Sequence, residues 1–308
     1  MDTCAPIKLP LLNYQAQFHQ RWSHLNDLHV RNLAWIIDSP VLLNLSHPHW
    51  EQRLAQLAPV SPETMDWLTQ LDRQPAALMQ FLALHAHTRL GLYAENLLAF
   101  YFDWCGELAA HSVQVRAKIT LGEFDFLLHT SNGYEHWEFA CKFYLLVAPE
   151  SALSQYIGPN LVDNLDAKAQ KILHAQLALG QHADAQKYLV QPLSASRALL
   201  KGWLFYRDRA TSALAEISAQ HCRGIWCRVS ELAQFGGAQF TILSRLAWLA
   251  PAKVTHQQTI VAEQLQALLQ QQFVVDNRPV LVAQLLAQDD YFIEIERVFV
   301  VPDNWNLA

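Results

Sequence analysis

Polar and apolar residues alternate most sharply in GEFDFLLHTSNGYEHWEFACKFY (Gly122–Tyr144), where two runs of period two flank Ser131-Asn132-Gly133. Asn-Gly between such runs predicts a β-hairpin with a two-residue loop. With Asn132-Gly133 as that loop, Ser131 faces Tyr134, Leu128 faces Trp137, Phe126 faces Phe139 and Phe124 faces Cys141, so one face is wholly apolar. The other face sets Asp125 opposite Ala140, with Glu138 and Lys142 as diagonal neighbours about 7–8 Å away, and sets Glu123 opposite Lys142. A slip of one residue would scramble both faces, so the sorting itself argues for a hairpin. Taken alone, the charged face reads equally well as a solvated surface with a cross-strand salt bridge.

Helical periodicity dominates the first part of the chain. Tyr14–Trp22, Leu28–Ile37, His49–Leu57 and Pro62–Leu71 are each amphipathic, and Ser61-Pro62-Glu63 is a sound helix start. A longer helix is expected from about Leu84 to Ala110, burying Leu90, Ala94, Leu97, Leu98 and Tyr101. Glu95 projects from its apolar surface, among Gly91, Leu92, Leu98 and Ala99. A buried carboxylate without a partner costs several kcal/mol or takes up a proton. Glu95 therefore needs either an arginine, such as Arg89 or Arg116, or a functional partner.

Val113–Ile119 is expected as a strand leading into the hairpin. A turn at Ile157–Asn160 precedes a helix capped by Asn160 or Asp163 and stopped at Gly180, with Lys168 and Lys171 on one side. Lys201–Arg207 returns as a strand. Beyond Ala210, the pattern predicts helices at Ser212–His221 and Val254–Phe273, and strands at Gly224–Arg228, Gln239–Leu243, Val280–Leu286 and Tyr291–Val301. No repeat or linker divides the chain, so one compact unit is expected.

Composition narrows the class. With 52% hydrophobic and 16% charged residues over 308 positions, the chain has ample material for a core. A net charge of −6 argues against a general nucleic-acid-coating protein, though not against a local basic groove. Five dispersed cysteines, the absence of a recognisable leader and the lack of any ~18-residue apolar run point to a cytoplasmic protein with no membrane segment. His221-Cys222 with Cys227 supplies at most half of a zinc site.

A helix bearing Glu95, three strands bearing Asp125, Glu138 and Lys142, then a helix and a strand, resembles the PD-(D/E)XK nuclease superfamily. More narrowly, GEFDFLL, WEFACKFYL, IGPNLVDNLDAKAQKILHAQLAL, KGWLFYR, HCRGIW and RLAWLAP resemble an uncharacterised bacterial family within it. The resemblance implies an α/β, restriction-endonuclease-like αβββαβ core over residues 84–210. It leaves an N-terminal helical extension over 1–83 and a C-terminal α/β addition over 211–308, packed on the core. It also implies a metal-dependent nuclease with Mg²⁺ or Mn²⁺ on Asp125, Glu138 and Glu95, and with Lys142 assisting the attacking water or stabilising charge on the phosphate. Lys168, Lys171, Lys201 and Arg207 would bind nucleic acid, DNA ahead of RNA. Two features depart from the motif: Gly-Glu-Phe precedes Asp125 in place of proline, and Glu138 stands four residues before Lys142 rather than two. The second departure keeps Glu138 on the Lys142 face, yet it also suits a nuclease fold retained as a non-catalytic binding module. A hydrolase of smaller phosphoesters is the third reading.

Overall fold

Capping fixes the first helices where the pattern places them. Asn13 accepts from the Ala16 N–H at the start of α1 (Tyr14–Trp22), and Asp27 accepts from His29 and Val30 in α2 (Leu28–Asp38). Ser61 accepts from Thr64 in α3 (Pro62–Arg73), which has proline in its first turn. The computed structural model describes residues 13–85, 89–148 and 152–306. The long helix expected from Leu84 to Ala110 is instead α4 (Ala76–Leu84) and α5 (Leu90–Trp104), and residues 108–110 already belong to a strand; residues 86–88 lie outside the described set. His49–Leu57 is not an α-helix: a 3₁₀ turn, Pro48–Trp50, is followed by Glu51 and Gln52 with left-handed backbone.

The remaining elements are β1 (Leu108–Arg116), β2 (Thr120–Thr130), β3 (Gly133–Leu146), β4 (Tyr156–Ile157), α6 (Leu165–Gln170), β5 (Leu193–Tyr206), β6 (Cys222–Arg228), β7 (Gln239–Ile242), β8 (Lys253–Val254), β9 (Ile260–Val261), α7 (Ala262–Val275), β10 (Val280–Gln288) and β11 (Tyr291–Val301). Helix α6 is capped by Asn164 and continues as a π-helix over Lys171–Gln176. The helix expected over Ser212–His221 is absent from that segment, which forms turns and extended backbone, and α7 starts at Ala262 rather than at Val254.

All strands join one mixed sheet in the order β1-β2-β3-β5-β6-β11-β10-β7-β9, with β4 on β3 and β8 on β11. β1, β2 and β3 form an antiparallel meander, β5, β6 and β11 continue from β3 in parallel, and β10 and β7 return antiparallel. The C-terminal strands thus extend the sheet of residues 84–210 instead of packing on it as a separate layer. Helices α2 and α5 cover one face through Leu33, Leu97, Leu98 and Phe102, against Phe126, Phe139, Cys141 and Phe143. On the other face, α6 and the π-helix pack Leu165, Ile172 and Leu173 on Ala140, Tyr144 and Leu200. Among the described residues, no helix is long and apolar enough to cross a membrane.

The hairpin register differs from expectation by two residues: Thr130 pairs with Gly133, His129 with Tyr134 and Phe126 with Trp137. The loop is therefore Ser131-Asn132. Gly133 is consumed by a different demand, because it holds φ 119 and a Cβ there would lie 2.3 Å from the Pro192 carbonyl oxygen.

Candidate active site

A fork between β2 and β3 makes the site. Their ladder ends at Phe126–Trp137, after which residues 120–124 pair only with β1 while β3 runs on beside β5. At this fork the period of two breaks. Phe126 enters the main core, whereas Phe124 packs with Val115, Leu127 and Leu179 against the His136 ring on the other side. The expected single apolar face through Phe124, Phe126 and Leu128 is thus corrected. Ser112, which lies between the β1 residues paired to Phe124 and Phe126, has φ 51, and this left-handed kink accompanies the turn of the strand.

The twist brings Glu123 round to Glu95. Carboxylate oxygens of Glu95, Glu123 and Asp125 all lie within 4.8 Å of one another. Glu95 accepts from His111 Nε2 at 3.0 Å and from Ser112 Oγ at 3.1 Å, so its partners are neither Arg89 nor Arg116. Asp125 accepts from the Phe139 N–H at 2.9 Å across the fork.

Glu138 stands outside that triangle. It is 1% exposed, and both oxygens are engaged: Oε1 by His136 Nε2 at 2.9 Å, Oε2 by the Gln176 amide. Asp125 lies close enough for the two carboxyls to act on each other's charge. Burial, and then the charge of Glu138, push Asp125 well above the usual carboxylate range. Burial pushes Glu138 up to about 7. Two desolvated carboxyls this close favour keeping a proton. His136, fully buried, is pushed down to about 4 and stays neutral as the donor to Glu138.

The cations are arranged differently from expectation. Lys142 Nζ lies 2.7 Å from Asp163 Oδ2, which also accepts from Tyr144 Oη at 3.1 Å, so Glu123 is not its partner. Lys168 reaches Gln176 Oε1 at 3.3 Å, beside the Asp125–Glu138 pair. Burial, followed by the nearness of Lys142, lowers its pKa, while Asp125 and Glu138 oppose the shift. Lys171 is exposed one turn away. Lys201 does not come to the site: it is 2% exposed, points into the main core and donates to the Ser39 carbonyl. Arg207 does not come to it either, being bound through two 2.6 Å contacts to Glu231 and laid over Trp226 in the C-terminal half.

Glu95, Glu123, Asp125, Lys142, Lys168 and Gln176 line an open cleft of about 790 Å³, with Arg245 and Trp248 also on its wall. That part of the wall belongs to RLAWLAP, which buried side chains clasp. Asn32 donates to the Leu246 carbonyl and to Tyr93 of α5, Arg31 donates to Pro251, and Arg297 donates to Trp248, Leu249 and Ala250. Sequence reading left Glu123 out of the acid set because it gave that side chain to Lys142 as a cross-strand partner, whereas Lys142 is held by Asp163. It missed Gln176 because an unbroken α-helix would not signal a π-turn there. A family model described as a domain of unknown function, DUF1853, matches residues 31–301. The chain belongs to the DUF1853 family. No curated protein and no solved structure matches it. The DUF1853 match covers the fork, the lysines and the clasped wall; residues 1–30, with α1 and the first turn of α2, and residues 302–308 lie outside it.

Proposed function

We propose that the protein is a metal-dependent phosphodiesterase that cleaves nucleic acid, a nuclease of the PD-(D/E)XK type. The observation that carries this reading is the triangle of half-buried Glu95, Glu123 and Asp125 at the fork, with buried Glu138 close to Asp125. The order α5-β1-β2-β3-α6-β5 supports it. All three donors are hard carboxylate oxygens, and acids so close repel one another unless a cation or a proton intervenes, so the set fits Mg²⁺ or Mn²⁺. When bound, such a cation supplies charge neutralisation at the phosphate and acidification of water. Glu95, Glu123 and Asp125 would hold it, replacing the expected set of Asp125, Glu138 and Glu95. Glu138, oriented by His136 and Gln176, keeps a proton on the pair until both carboxyls ionise. Lys168 places positive charge at the same spot, where it stabilises charge developing on a phosphate.

A non-catalytic module is the second reading, favoured by the engagement of Lys142 with Asp163 and of Glu138 with His136 and Gln176. Calorimetry with Mn²⁺ on wild type and Asp125→Ala, combined with cleavage assays on single- and double-stranded DNA and RNA, separates the two. Asp125-dependent metal binding with Mn²⁺-dependent cleavage is the expected result. No cleavage of any substrate by a folded, metal-binding wild type would transfer the conclusion to the module.

A further inference from the structure

The turn between β4 and α6 spends its conformational freedom oddly. Its base is tied by Gly158 N–H to Asp163 O at 2.8 Å, by a bridge between Ile157 and Asn164, and by Trp305 Nε1 to Pro159 O at 3.0 Å. Asp163 is held in addition by Lys142 and Tyr144. On this fixed base, Leu161 adopts φ 60 and is 46% exposed, and Val162 is 86% exposed. A left-handed position in a solvated turn calls for glycine or asparagine, since a branched side chain is strained there. Folding alone explains neither the strain nor two aliphatic side chains held out in water. Strain that the surrounding structure over-determines points to function.

Val162 lines the acidic cleft. Pro159, Asn160, Arg245 and Trp248 are shared between that cleft and a second cavity of about 430 Å³ running to Arg278, so the two form one track past the turn. Arg245 lies 4.1 Å over the Trp248 ring and has no carboxylate partner among the described residues. Its guanidinium plane is therefore available on the outer side. Arg278 is taken up by Asp276 in the second cavity, so Arg245 is the arginine shared by the two cavities and left to meet a strand, and an apolar tip with a flat cation suits the faces of bases. Continuous duplex offers neither face without being unstacked, whereas single strands offer both.

We propose that the track binds nucleic acid with unstacked bases, single strand or the strand at a duplex junction, with Leu161 and Val162 wedged against the bases and Arg245 alongside. This rests on the phosphodiesterase reading and names its substrate class. The test measures fluorescence anisotropy with single-stranded DNA, single-stranded RNA, a tailed duplex and a blunt duplex carrying 2-aminopurine, in Ca²⁺. Wild type is compared with Leu161→Asn/Val162→Ser, in which asparagine tolerates the left-handed turn. Wild type should bind single-stranded or tailed substrates roughly tenfold more tightly than blunt duplex and should raise 2-aminopurine fluorescence. The double variant should lose about tenfold affinity on those substrates and the fluorescence rise, with no fall in melting temperature. Its slope of log K against log[salt] should be unchanged, because no phosphate contact is removed. Arg245→Ala should lower that slope by about one. Equal affinity for blunt duplex, or a double variant identical to wild type, overturns the wedge; Asp125-dependent cleavage would then survive as a separate fact. Failure of wild type to bind any substrate overturns the wedge and the phosphodiesterase reading together.

Discussion

Glu294 on β11 and Glu138 on β3 are almost equally buried, at 0% and 1% exposure, and the chain surrounds them in opposite ways. Arg297 meets Glu294 through Nε and Nη2, both at 2.9 Å, and spends its remaining N–H groups on the carbonyls of Trp248, Leu249 and Ala250. Its guanidinium also lies 4.1 Å over Trp203, and Glu294 takes a further bond from the Ala252 N–H. Every donor has an acceptor and the charges cancel. At the fork, Asp125 lies near Glu138, Glu95 and Glu123 stand beside it, and the lysine that acts on the pair is Lys168, itself partly desolvated. The first arrangement is a closed clasp that sets the cleft wall. The second is left short of positive charge, which on the phosphodiesterase reading is where a cation would enter.

The largest effect that sharpens this contrast is on stability. Arg297→Met leaves Glu294 buried and unpaired, so denaturant unfolding should show a loss of roughly 3–5 kcal/mol. Asp125→Asn removes repulsion at the fork, so its melting temperature should equal or exceed that of wild type while Mn²⁺ binding is lost. A marked destabilisation by Asp125→Asn would mean that the fork is as closed as the clasp.

Next comes pH. Asp125 and Glu138 are both raised above their unfolded values of about 3.9 and 4.3. The folded state therefore binds more protons. The stabilisation is fully present below about pH 4 and is lost as pH rises through the folded values, about 7 for Glu138. Metal-free protein should lose stability between pH 5 and 8 by an amount on the order of a few kcal/mol, and Mn²⁺ should restore it at the upper end. Buried His136 and His221, both pushed down to about 4, act in the opposite sense, so the difference between wild type and Asp125→Asn is the quantity to plot. Parallel pH curves for the two proteins would remove the shared proton.

Much of the fork was legible in the sequence, and its failures have definite causes. The order of helix, three strands, helix and strand followed from periodicity, and Asp125 was singled out because alternation puts it on the charged face of the hairpin with Glu138 and Lys142. Glu95 was found because no helix buries a carboxylate idly. Glu123 was left out of the acid set because it was given to Lys142 as a cross-strand partner, and nothing local in the sequence shows that Asp163 takes Lys142 instead. Lys201 was misassigned because position after the hairpin says nothing about which face a strand residue takes; Lys201 turns into the core beside Ser39. The clasp by Arg31, Asn32 and Arg297 joins residues more than 200 positions apart in part, and no local pattern signals it.

A smaller effect probes how β3 is held beside the fork. Gly202 pairs with Lys142, has φ 147, and a Cβ there would lie 1.8 Å from the Lys142 carbonyl oxygen. Gly202→Ala must push β5 away from β3, and should cost roughly 1–3 kcal/mol in unfolding experiments. Metal affinity should fall with it, because the movement reaches the strand that carries Glu138. Unaltered affinity would show that the triangle is carried by α5 and β2 alone.

The smallest expected effect decides between the two lysines. Lys142 and Asp163 are 32% and 43% exposed at their side chains, so water screens the pair and Lys142→Ala should cost no more than about 1 kcal/mol. Motif position would make Lys142 the catalytic cation. On the phosphodiesterase reading we expect Lys168 in that place instead, since Asp163 holds Lys142 toward the α6 turn while Lys168 sits with Gln176 beside Glu138. Mn²⁺-dependent cleavage should therefore fall by roughly 10²-fold or more in Lys168→Ala, the size expected for removing a charge-stabilising group, and by only about two- to fivefold in Lys142→Ala, near the loss of a minor contact. Metal affinity and melting temperature measured on the same proteins exclude a trivial loss of fold. If Lys142→Ala is instead the dead variant, its bond to Asp163 must break when substrate enters, and the α6 turn then becomes the part that moves. In that case Asp163→Asn, which frees Lys142, should raise cleavage, whereas an Asp163→Asn variant no more active than wild type would keep Lys142 where it is found.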